Sequence, residues 1–359
     1  MKVAIVLGTR PEIIKMSPII RELGKRDIDF FILHTGQHYS YNMDQVFFEQ
    51  LKLPRPKYNL EVGSGTHAEE TGKMMIGIEK VLLNESPDIV LIEGDTNTVL
   101  AGALASVKIG IPIGHVEAGL RSFDRSMPEE INRIVADHVS DLLFAPTEKA
   151  KQNLLKEGIS NKKIFVTGNT IVDAIYQNLA LAKNNANILD NLEVKEKSYF
   201  LVTIHRQENV DNMKRLKGIL DGLKLVQKYF NMPIIYPIHP RAKKRMQEFK
   251  LDANDLIIID PVDYLTFLKL ENSAKLIFTD SGGVQEEACI LKVPCVTLRY
   301  NTERPETIDV GANIIAGTEP ENILEKTKIM INKDNNWDNP FGDGKAGEKI
   351  VKIINEIYK

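Results

Sequence analysis

The sequence has few of the features that mark disulfide-stabilised, metal-binding or membrane-spanning proteins. Its 359 residues include only two cysteines, Cys289 and Cys295, at a spacing that matches no common zinc-ligand pattern. Two thiols do not make a disulfide framework, which favours a reducing compartment. The chain also has no apolar run long enough to cross a bilayer and no signal-peptide layout before its first strand-like segment. These absences predict a cytoplasmic protein without membrane contact.

The chain also lacks a large net charge of either sign. The formal net charge of −3 leaves no general footprint for nucleic acid or for an anionic membrane. There is no cysteine pair at ligand spacing and no Asp-rich loop, so no metal is expected, and the absence of Gly-x-Gly-x-x-Gly argues against a dinucleotide. Hydrophobic residues at 43% and charged residues at 26% describe an ordinary globular protein, and the length suits about two domains.

Short β-branched runs alternate with helical segments along almost the whole chain, beginning with the apolar run 3–7. This alternation predicts parallel sheets covered by helices on both faces. The first series ends near Thr170, and a second begins near residue 199. The polar stretch 183–197 between them is typical of a surface segment or linker. Two consecutive doubly wound domains predict a ligand in the cleft between them, beyond the carboxyl ends of the strands.

The segment 275–287 is the strongest local indication of a binding site. An apolar run, 276–278, leads through Ser281, Gly282 and Gly283 into a helix. Glycines at such a turn let the backbone approach a ligand, and the helix N-terminus beyond them favours a phosphate or diphosphate. Glu287, within the first two turns, could accept hydrogen bonds from sugar hydroxyls. The alternative is a plain tight turn, although Val284 occupies the place where a capping box needs Glu or Gln.

Other polar residues follow predicted strands of the first series. Arg10 and Lys15 could reach a phosphate, or they could be solvated surface cations. Asp95 is an acid at a strand end, with helix capping as the alternative role. His115 and Glu117 lie two positions apart, which would place them on one side of a continuing strand.

The remaining candidates are divided between the two series. Glu129 follows Pro128 at a predicted helix start, where acids also favour the helix dipole. His205 ends the first strand of the second series and suits general acid–base chemistry near neutral pH. His239 ends the next strand, and Arg304 could bind an anion or pair with a carboxylate.

Taken together, these segments resemble the non-hydrolysing UDP-N-acetylglucosamine 2-epimerases. The matching pieces follow the family order over nearly the whole chain and are 8–16 (GTRPEIIKM), 36–38 (GQH), 94–96 (GDT), 115–121 (HVEAGLR), 128–133 (PEEINR), 167–170 (TGNT), 205–209 (HRQEN), 279–287 (TDSGGVQEE), 302–306 (TERPE) and 339–344 (NPFGDG). Any one of them is weakly specific, but their combination is highly specific.

The resemblance implies two Rossmann-like domains of the glycosyltransferase-B type, residues 1–170 and 171–344, with the last helix, 345–359, packing back on the first. It implies interconversion of UDP-GlcNAc and UDP-ManNAc by elimination of UDP to 2-acetamidoglucal and its re-addition. A homodimer is expected on the same ground. No cofactor is implied.

The family roles fall on the matching positions of this chain. The catalytic set would be Asp95, Glu117, Glu129 and His205. The nucleotide and phosphate contacts would be Arg10, Lys15, His239, Phe267, Ser281, Gly282, Gly283, Glu287 and Arg304, with Phe267 near the uracil. A second, activating UDP-GlcNAc in bacterial members would use Gln37, His38, Gln45 and Arg206. The stretch 65–70 lacks the Arg-Gln pair of the bacterial pattern, so the sequence does not decide whether this chain has the second site.

Three other functions remain as alternatives. A hydrolysing 2-epimerase would release free ManNAc, but such enzymes are commonly fused to a sugar kinase, which this chain does not include. A UDP-sugar glycosyltransferase of the same fold would need an acceptor pocket and would not need the acids of the first domain. A UDP-sugar sensor would bind the ligand without reaction.

Overall fold

The computed structural model describes residues 1–36, 41–182 and 187–358, without the side chains of residues 41–45 and 187. The chain divides into two compact units, Met1–Gln177 together with Phe341–Lys359, and Asn178–Pro340. Each unit is built on one parallel β-sheet, as the alternating pattern predicts.

The sheet of the first unit has seven strands in the order β3-β2-β1-β4-β5-β6-β7. Helices cover it on both faces, so strands such as β1 and β4 are almost wholly apolar and buried. The strands are β1 (Lys2–Leu7), β2 (Asp29–His34), β3 (Tyr58–Asn59), β4 (Ile89–Glu93), β5 (Ile113–Val116), β6 (Leu142–Ala145) and β7 (Ile164–Val166). The helices are α1 (Arg10–Lys25), α2 (Tyr41–Gln50), α3 (His67–Glu85), α4 (Asn97–Lys108), α5 (Pro128–Val139), α6 (Glu148–Lys156) and α7 (Thr170–Ala182).

The sheet of the second unit repeats this topology with six strands, in the order β10-β9-β8-β11-β12-β13. The strands are β8 (Phe200–Thr203), β9 (Ile234–Pro237), β10 (Ile257–Ile259), β11 (Leu276–Thr279), β12 (Cys295–Thr297) and β13 (Asn313–Ile315). The helices are α8 (Asn187–Asn191), α9 (Gln207–Val210), α10 (Met213–Phe230), α11 (Pro240–Glu248), α12 (Tyr264–Ser273), α13 (Gly282–Ile290), α14 (Pro305–Asp309) and α15 (Pro320–Ile331). One apolar cluster lies on each face of this sheet. The topology of both units is the doubly wound arrangement that the sequence predicts.

The last helix, α16 (Ala346–Ile357), belongs to the first unit. Its buried face is formed by apolar residues such as Ile350 and Ile354. The carboxylate of Asp173 on α7 accepts hydrogen bonds from the backbone N–H groups of Ala346 (3.1 Å) and Gly347 (2.9 Å). The buried Asp173 therefore satisfies donors that the start of the helix leaves without intrahelical partners.

The polar stretch after α7 is the surface segment of the two predicted alternatives, and not a free linker, over its described residues. Residues 187–191 form the short helix α8, and both Leu189 and Val194 are buried against the second sheet. The other described side chains from 188 to 197 are exposed or half-buried, so two apolar side chains fix the segment to the core of the second unit. Across the described residues, no helix has the length and apolar character needed to cross a membrane.

Candidate active site

Each sheet has a point at which its strand order reverses, and the candidate residues collect there. In the first unit this point lies between β1 and β4, and in the second between β8 and β11. Loops that follow such neighbouring strands diverge to opposite faces and leave a crevice at the carboxyl end of the sheet. Gly94 and Asp95 follow β4, while Ser281 and Gly282 follow β11.

Lys15 on α1 lies between two carboxylates of the first unit. Its Nζ is 2.5 Å from Oε2 of Glu117 and 3.2 Å from Oε1 of Glu93, the last residue of β4. The other oxygen of Glu117, Oε1, accepts a hydrogen bond of 3.1 Å from Nδ2 of Asn169. Lys15 is thus not a solvated surface cation in this structure, and its charge is directed at the carboxylates.

The backbone of Glu117 has a φ of 68°, the left-handed region that a non-glycine residue rarely adopts. It lies in the turn that follows β5, and its carboxylate oxygen Oε2 would come within 3.9 Å of a Cβ at Gly94. Gly119, two residues on, also has a positive φ, and a side chain there would meet the Ala150 carbonyl oxygen at 2.4 Å. Strained backbone of this kind, held by close packing, is frequent at functional sites.

Asp95 follows Glu93 and Gly94 in the chain, and its side chain is partly exposed. It forms an ion pair with the guanidinium of Arg133 on α5, while its backbone carbonyl accepts a hydrogen bond of 2.9 Å from Asn132. The two glutamates at the start of α5 differ in their surroundings. Glu130 is buried and accepts hydrogen bonds from Ser122 and other donors of its loop, whereas Glu129 is exposed. Of the two, Glu129 is the one whose carboxylate can meet a ligand.

His115 has a structural setting that its spacing from Glu117 did not indicate. The ring is buried, with Nδ1 2.7 Å from Oδ1 of Asp137 and Nε2 2.9 Å from the carbonyl oxygen of Gly94. Burial lowers the pKa of His115, but the ion pair and hydrogen bond with Asp137 outweigh it and leave the pKa above its usual range. Arg121 also contacts Asp137, at 2.7 Å. Because β5 ends at Val116, Glu117 lies beyond it, and the condition under which the two residues would share one side of a continuing strand is not met.

Arg10 opens α1 with an exposed side chain, and its guanidinium lies 5.9 Å from the centre of the Phe47 ring. The neighbouring Glu12 is buried and accepts hydrogen bonds from the backbone N–H of Gly8 and of Thr9 and from the Thr96 hydroxyl. Burial nevertheless raises the pKa of Glu12 to about 7. Glu12 thereby ties the loop after β1 to the loop after β4, which is where Asp95 lies.

In the second unit, Asp280 determines the position of His205. Asp280 follows β11 and accepts hydrogen bonds from the backbone N–H of His205 (3.1 Å) and of Arg206 (3.0 Å). Its Oδ1 is also 3.2 Å from Nδ1 of the His205 ring. Burial of Asp280 opposes ionisation, but these contacts, first among them the ring of His205, bring its pKa below the usual range.

His205 lines a cavity of about 190 Å³ together with His239 and Phe267. The two imidazole rings are 6.4 Å apart. Nδ1 of His239 accepts a hydrogen bond from the backbone N–H of Arg241, so the neutral ring carries its proton on Nε2. Burial, followed by the nearby His205 and Arg241, lowers the pKa of His239 and favours that neutral form. The cavity thus offers an apolar wall and ring nitrogens as polar contacts.

The Ser281-Gly282-Gly283 segment forms the N-terminus of α13, as predicted. Ser281 is the N-cap residue by position, and no hydrogen bond from its side chain caps the helix. A Cβ at Gly282 would meet only ordinary contacts, at 3.4 Å from Glu303 and 3.9 Å from Arg304, and one at Gly283 only the Ser281 hydroxyl at 3.9 Å. The fold itself therefore does not demand two glycines here, and the space they leave lies in front of the helix N-terminus.

Several charged side chains surround this helix start. Nε of Arg304 lies 2.7 Å from Oε1 of the buried Glu286. Arg206 and Arg299 both pair with Glu303, at 3.6 Å and 2.9 Å. Glu287 is half-buried on α13 and interacts with the fully buried Glu271 of α12.

Sequence reasoning missed several residues that organise these sites. Glu93, Asn169 and Arg133 of the first unit and Asp280 of the second each hold a predicted residue in place. Glu93 had one available signal, a carboxylate at the end of an otherwise apolar strand. Within the described residues, no group of three His, Cys, Asp or Glu side chains is arranged to hold a metal ion. Gln37 and His38 lie outside the described residues, as does the side chain of Gln45.

The fold and the site define a doubly wound α/β protein with a group of carboxylates at the end of one sheet and a Ser-Gly-Gly helix start at the end of the other. The family model described as UDP-N-acetylglucosamine 2-epimerase matches residues 21–355, and the chain belongs to this family. The UDP-N-acetylglucosamine 2-epimerase of Methanocaldococcus jannaschii is 62% identical over 99% of both chains.

Solved structures give the same result. The M. jannaschii UDP-GlcNAc 2-epimerase in complex with UDP-GlcNAc and UDP is 61% identical, with a TM-score of 0.88, and covers 99% of this chain and 100% of its own. The enzyme of Neisseria meningitidis bound to UDP-GlcNAc is 35% identical, with a TM-score of 0.89 and the same coverage. The predicted fold class and family are thereby confirmed.

Proposed function

We propose that this chain interconverts UDP-GlcNAc and UDP-ManNAc by reversible epimerisation at carbon 2. The observation that carries the proposal is the group of acids around Lys15 and Asp95 at the end of the first sheet, in a chain 62% identical to an enzyme with the 2-epimerase name. A glycosyltransferase or a sensor of the same fold would not need these acids.

The reaction proceeds by elimination and re-addition of UDP. A base takes the proton from carbon 2, the bond between carbon 1 and the diphosphate oxygen breaks, and UDP departs with the electron pair. The product, 2-acetamidoglucal, has a double bond between carbons 1 and 2. In the second step UDP forms the bond to carbon 1 again, and an acid delivers a proton to the opposite face of carbon 2. No net oxidation occurs, so the reaction requires no redox cofactor.

The acid–base work falls to Asp95, Glu117, Glu129 and His205. Glu117 is held by Lys15 and Asn169, and Asp95 by Arg133, so both carboxylates have fixed positions before substrate arrives. Preorganised groups of this kind give acid–base catalysis its usual factor of about 10²–10⁴. His205 is oriented by Asp280, which leaves its Nε2 available for the sugar or the leaving group.

The nucleotide is bound by the second unit in this proposal. The uracil occupies the cavity beside Phe267 and His239, which supplies an apolar wall and a ring N–H. The diphosphate lies at the N-terminus of α13, at Ser281, Gly282 and Gly283, where unpaired backbone N–H groups and the helix dipole favour an anion. Two further contacts are assigned, namely Arg304 to the diphosphate and Glu287 to the ribose hydroxyls.

One incubation distinguishes this function from its alternatives. The protein is mixed with UDP-GlcNAc and no acceptor, and the products are separated by ion-exchange chromatography and identified by NMR. The proposal predicts UDP-ManNAc in equilibrium with UDP-GlcNAc. Free ManNAc with stoichiometric UDP would identify a hydrolysing enzyme instead, and unchanged UDP-GlcNAc would favour a transferase or a sensor.

The same incubation in deuterated water tests the mechanism. Elimination and re-addition with separate acid and base should place solvent deuterium at carbon 2 of the product. Epimerised product without deuterium at that carbon would overturn the assignment of separate acid and base groups.

A further inference from the structure

Glu93 is a buried acid to which the proposed mechanism gives no role. It is the last residue of β4, and only 2% of its side chain is exposed. Its Oε1 lies 3.2 Å from Nζ of Lys15, the ammonium group that is 2.5 Å from Oε2 of Glu117. One cation is therefore shared by two carboxyl groups at the switch point of the sheet.

Among the described residues, the other charged groups around Glu93 do not supply a second cation. From α1, Glu12 adds another buried carboxyl, which already accepts two backbone N–H groups and the Thr96 hydroxyl. From the loop after β4, Asp95 is paired with Arg133. On the neighbouring strand β5, both ring nitrogens of His115 are engaged by Asp137 and by the Gly94 carbonyl.

This arrangement favours one retained proton on the pair of carboxyl groups. Burial is the largest effect that raises the pKa of Glu93, and the nearby Glu117 and Glu12 raise it further, while Lys15 opposes them. Glu117 has the closer contact with Lys15 and the additional hydrogen bond from Asn169, so it is the better-stabilised carboxylate. Glu93 is the better place for the proton because, of the neighbours named above, Lys15 alone counters its burial.

We propose that Glu93 is a positioning residue that stays protonated at neutral pH and thereby leaves the Lys15 ammonium to hold the Glu117 carboxylate for proton transfer at carbon 2. The inference rests on the proposed function and adds a residue to it. Ionisation of Glu93 at alkaline pH would make a second carboxylate compete for Lys15 and would loosen Glu117. A neutral group of the same shape removes that competition at every pH.

The test compares Glu93→Leu with Glu93→Gln in the full chain. Glu93→Leu removes the polar group and should lower kcat by about tenfold or more, a part of the usual acid–base factor, because Glu117 loses its fixed position. Glu93→Gln should retain most of the wild-type kcat. It should also shift the alkaline limb of the kcat/KM profile to higher pH. UDP affinity, measured by calorimetry, should remain close to wild type in both variants.

Two kinetic results would overturn the inference. A Glu93→Gln variant with the wild-type alkaline limb would show that Glu93 does not set it. A Glu93→Gln variant as inactive as a lost acid–base group, by about a hundredfold at every pH, would make Glu93 a proton donor or acceptor itself. Circular dichroism and thermal unfolding identify a variant that has failed to fold, and the comparison then rests on Glu93→Gln and wild type.

Infrared spectroscopy tests the proton without reference to activity. At neutral pH the wild type should show the C=O stretch of a protonated buried carboxyl group, and the difference spectrum against Glu93→Gln should assign that band to Glu93. Absence of the band overturns the inference even when UDP-ManNAc is formed. A band at Glu93 in a protein that forms no UDP-ManNAc would instead overturn the proposed function.

Discussion

The carboxylate of Asp280 fixes His205 at two points, the backbone N–H at 3.1 Å and the ring Nδ1 at 3.2 Å. Asp280 itself is fully buried at the end of β11. Its contacts therefore hold His205, which follows β8, in a fixed position relative to this neighbouring strand. The ring edge that carries Nε2 is turned away from this contact, and 42% of the side chain is exposed.

Removal of this imidazole should affect turnover far more than nucleotide binding. We expect His205→Ala to lower kcat by about a hundredfold or more, the scale of a lost acid–base group. Calorimetry should show UDP affinity within a few-fold of wild type, because the proposed function assigns the ring to the sugar and not to the UDP group. His138→Ala, at an exposed histidine on α5, is the matched control and should leave kcat unchanged. An equal loss in both variants would refute the assignment.

The carboxylates of the first unit should show the same separation of catalysis from binding. We expect Asp95→Asn and Glu117→Gln each to reduce kcat by about a hundredfold or more, since the amide keeps the shape but cannot accept the proton. Glu325→Gln, at an exposed glutamate on α15, is the control. Steady-state kinetics that show a raised KM with unchanged kcat would assign these acids to binding alone.

Substitution of the first glycine of α13 should weaken binding of the diphosphate more than it destabilises the fold. We expect Gly282→Ala to weaken UDP binding and Gly282→Val to abolish it, because a growing side chain fills the space in front of the helix N-terminus. Gly72→Val on α3, where a Cβ would meet nothing within 4 Å, is the matched control. Calorimetry on folded Gly282→Val that gives wild-type UDP affinity would place the diphosphate elsewhere.

Ionisation of Glu271 on α12 should lower the free energy of unfolding as the pH rises. It is fully buried, and burial, followed by the neighbouring carboxyl group of Glu287, raises its pKa above the ordinary 4.5. A raised native pKa means that the native state binds the proton more tightly than the unfolded chain does. The contribution of Glu271 to stability is therefore fully present below about pH 4.5 and is lost as the pH rises toward the native pKa.

Glu271→Met should accordingly stabilise the protein by about 1–3 kcal/mol at pH 8, the usual scale of the desolvation penalty of a buried polar group. The gain should shrink toward pH 5, where the wild-type carboxyl group binds its proton at little cost. Thermal and urea unfolding at both pH values measure the difference, and Glu325→Met at the exposed position serves as control. A gain that does not depend on pH would contradict the assigned protonation.

Asp173 should hold the last helix in place. Asp173→Ala removes the acceptor for two backbone N–H groups of α16 and should destabilise the first unit by about 1–3 kcal/mol. Hydrogen–deuterium exchange should increase selectively over residues 346–357. The control is Asp338→Ala at an exposed position, and uniform exchange changes in both variants would contradict the proposed docking role.

The elements that could be predicted are those with a local pattern. β1, β4 and β11 are apolar runs with one polar residue at an end, and the start of α13 carries its two glycines in sequence, so these elements could be placed. The start of α3 has a local signal of its own, the capping box that Thr66 and Glu69 form around the first turn from His67. β3 has only two residues, too few for any periodicity.

The contacts that organise the site had no local pattern. Lys15 meets Glu93 and Glu117 only because β1, β4 and β5 are neighbours in the folded sheet. The same holds for Asp280 and His205, which come from adjacent strands far apart in the chain. The contact of His115 could not be predicted either, because its partner, Asp137, lies on a helix whose packing cannot be inferred from spacing.

The placement of α16 has a consequence for the order in which the protein can be made. Residues 178–340 are continuous, so everything that the second unit needs leaves the ribosome in one block. The first unit starts earlier but lacks α16, and with it the helix that packs Gly347 against Pro18, until synthesis has passed that whole block. At about 5–20 residues per second, the nascent first unit would wait roughly ten to thirty seconds with that surface of α1 uncovered. The unit that is translated first is therefore completed last. During synthesis, chaperones should bind mainly to the surface of α1 that α16 later covers.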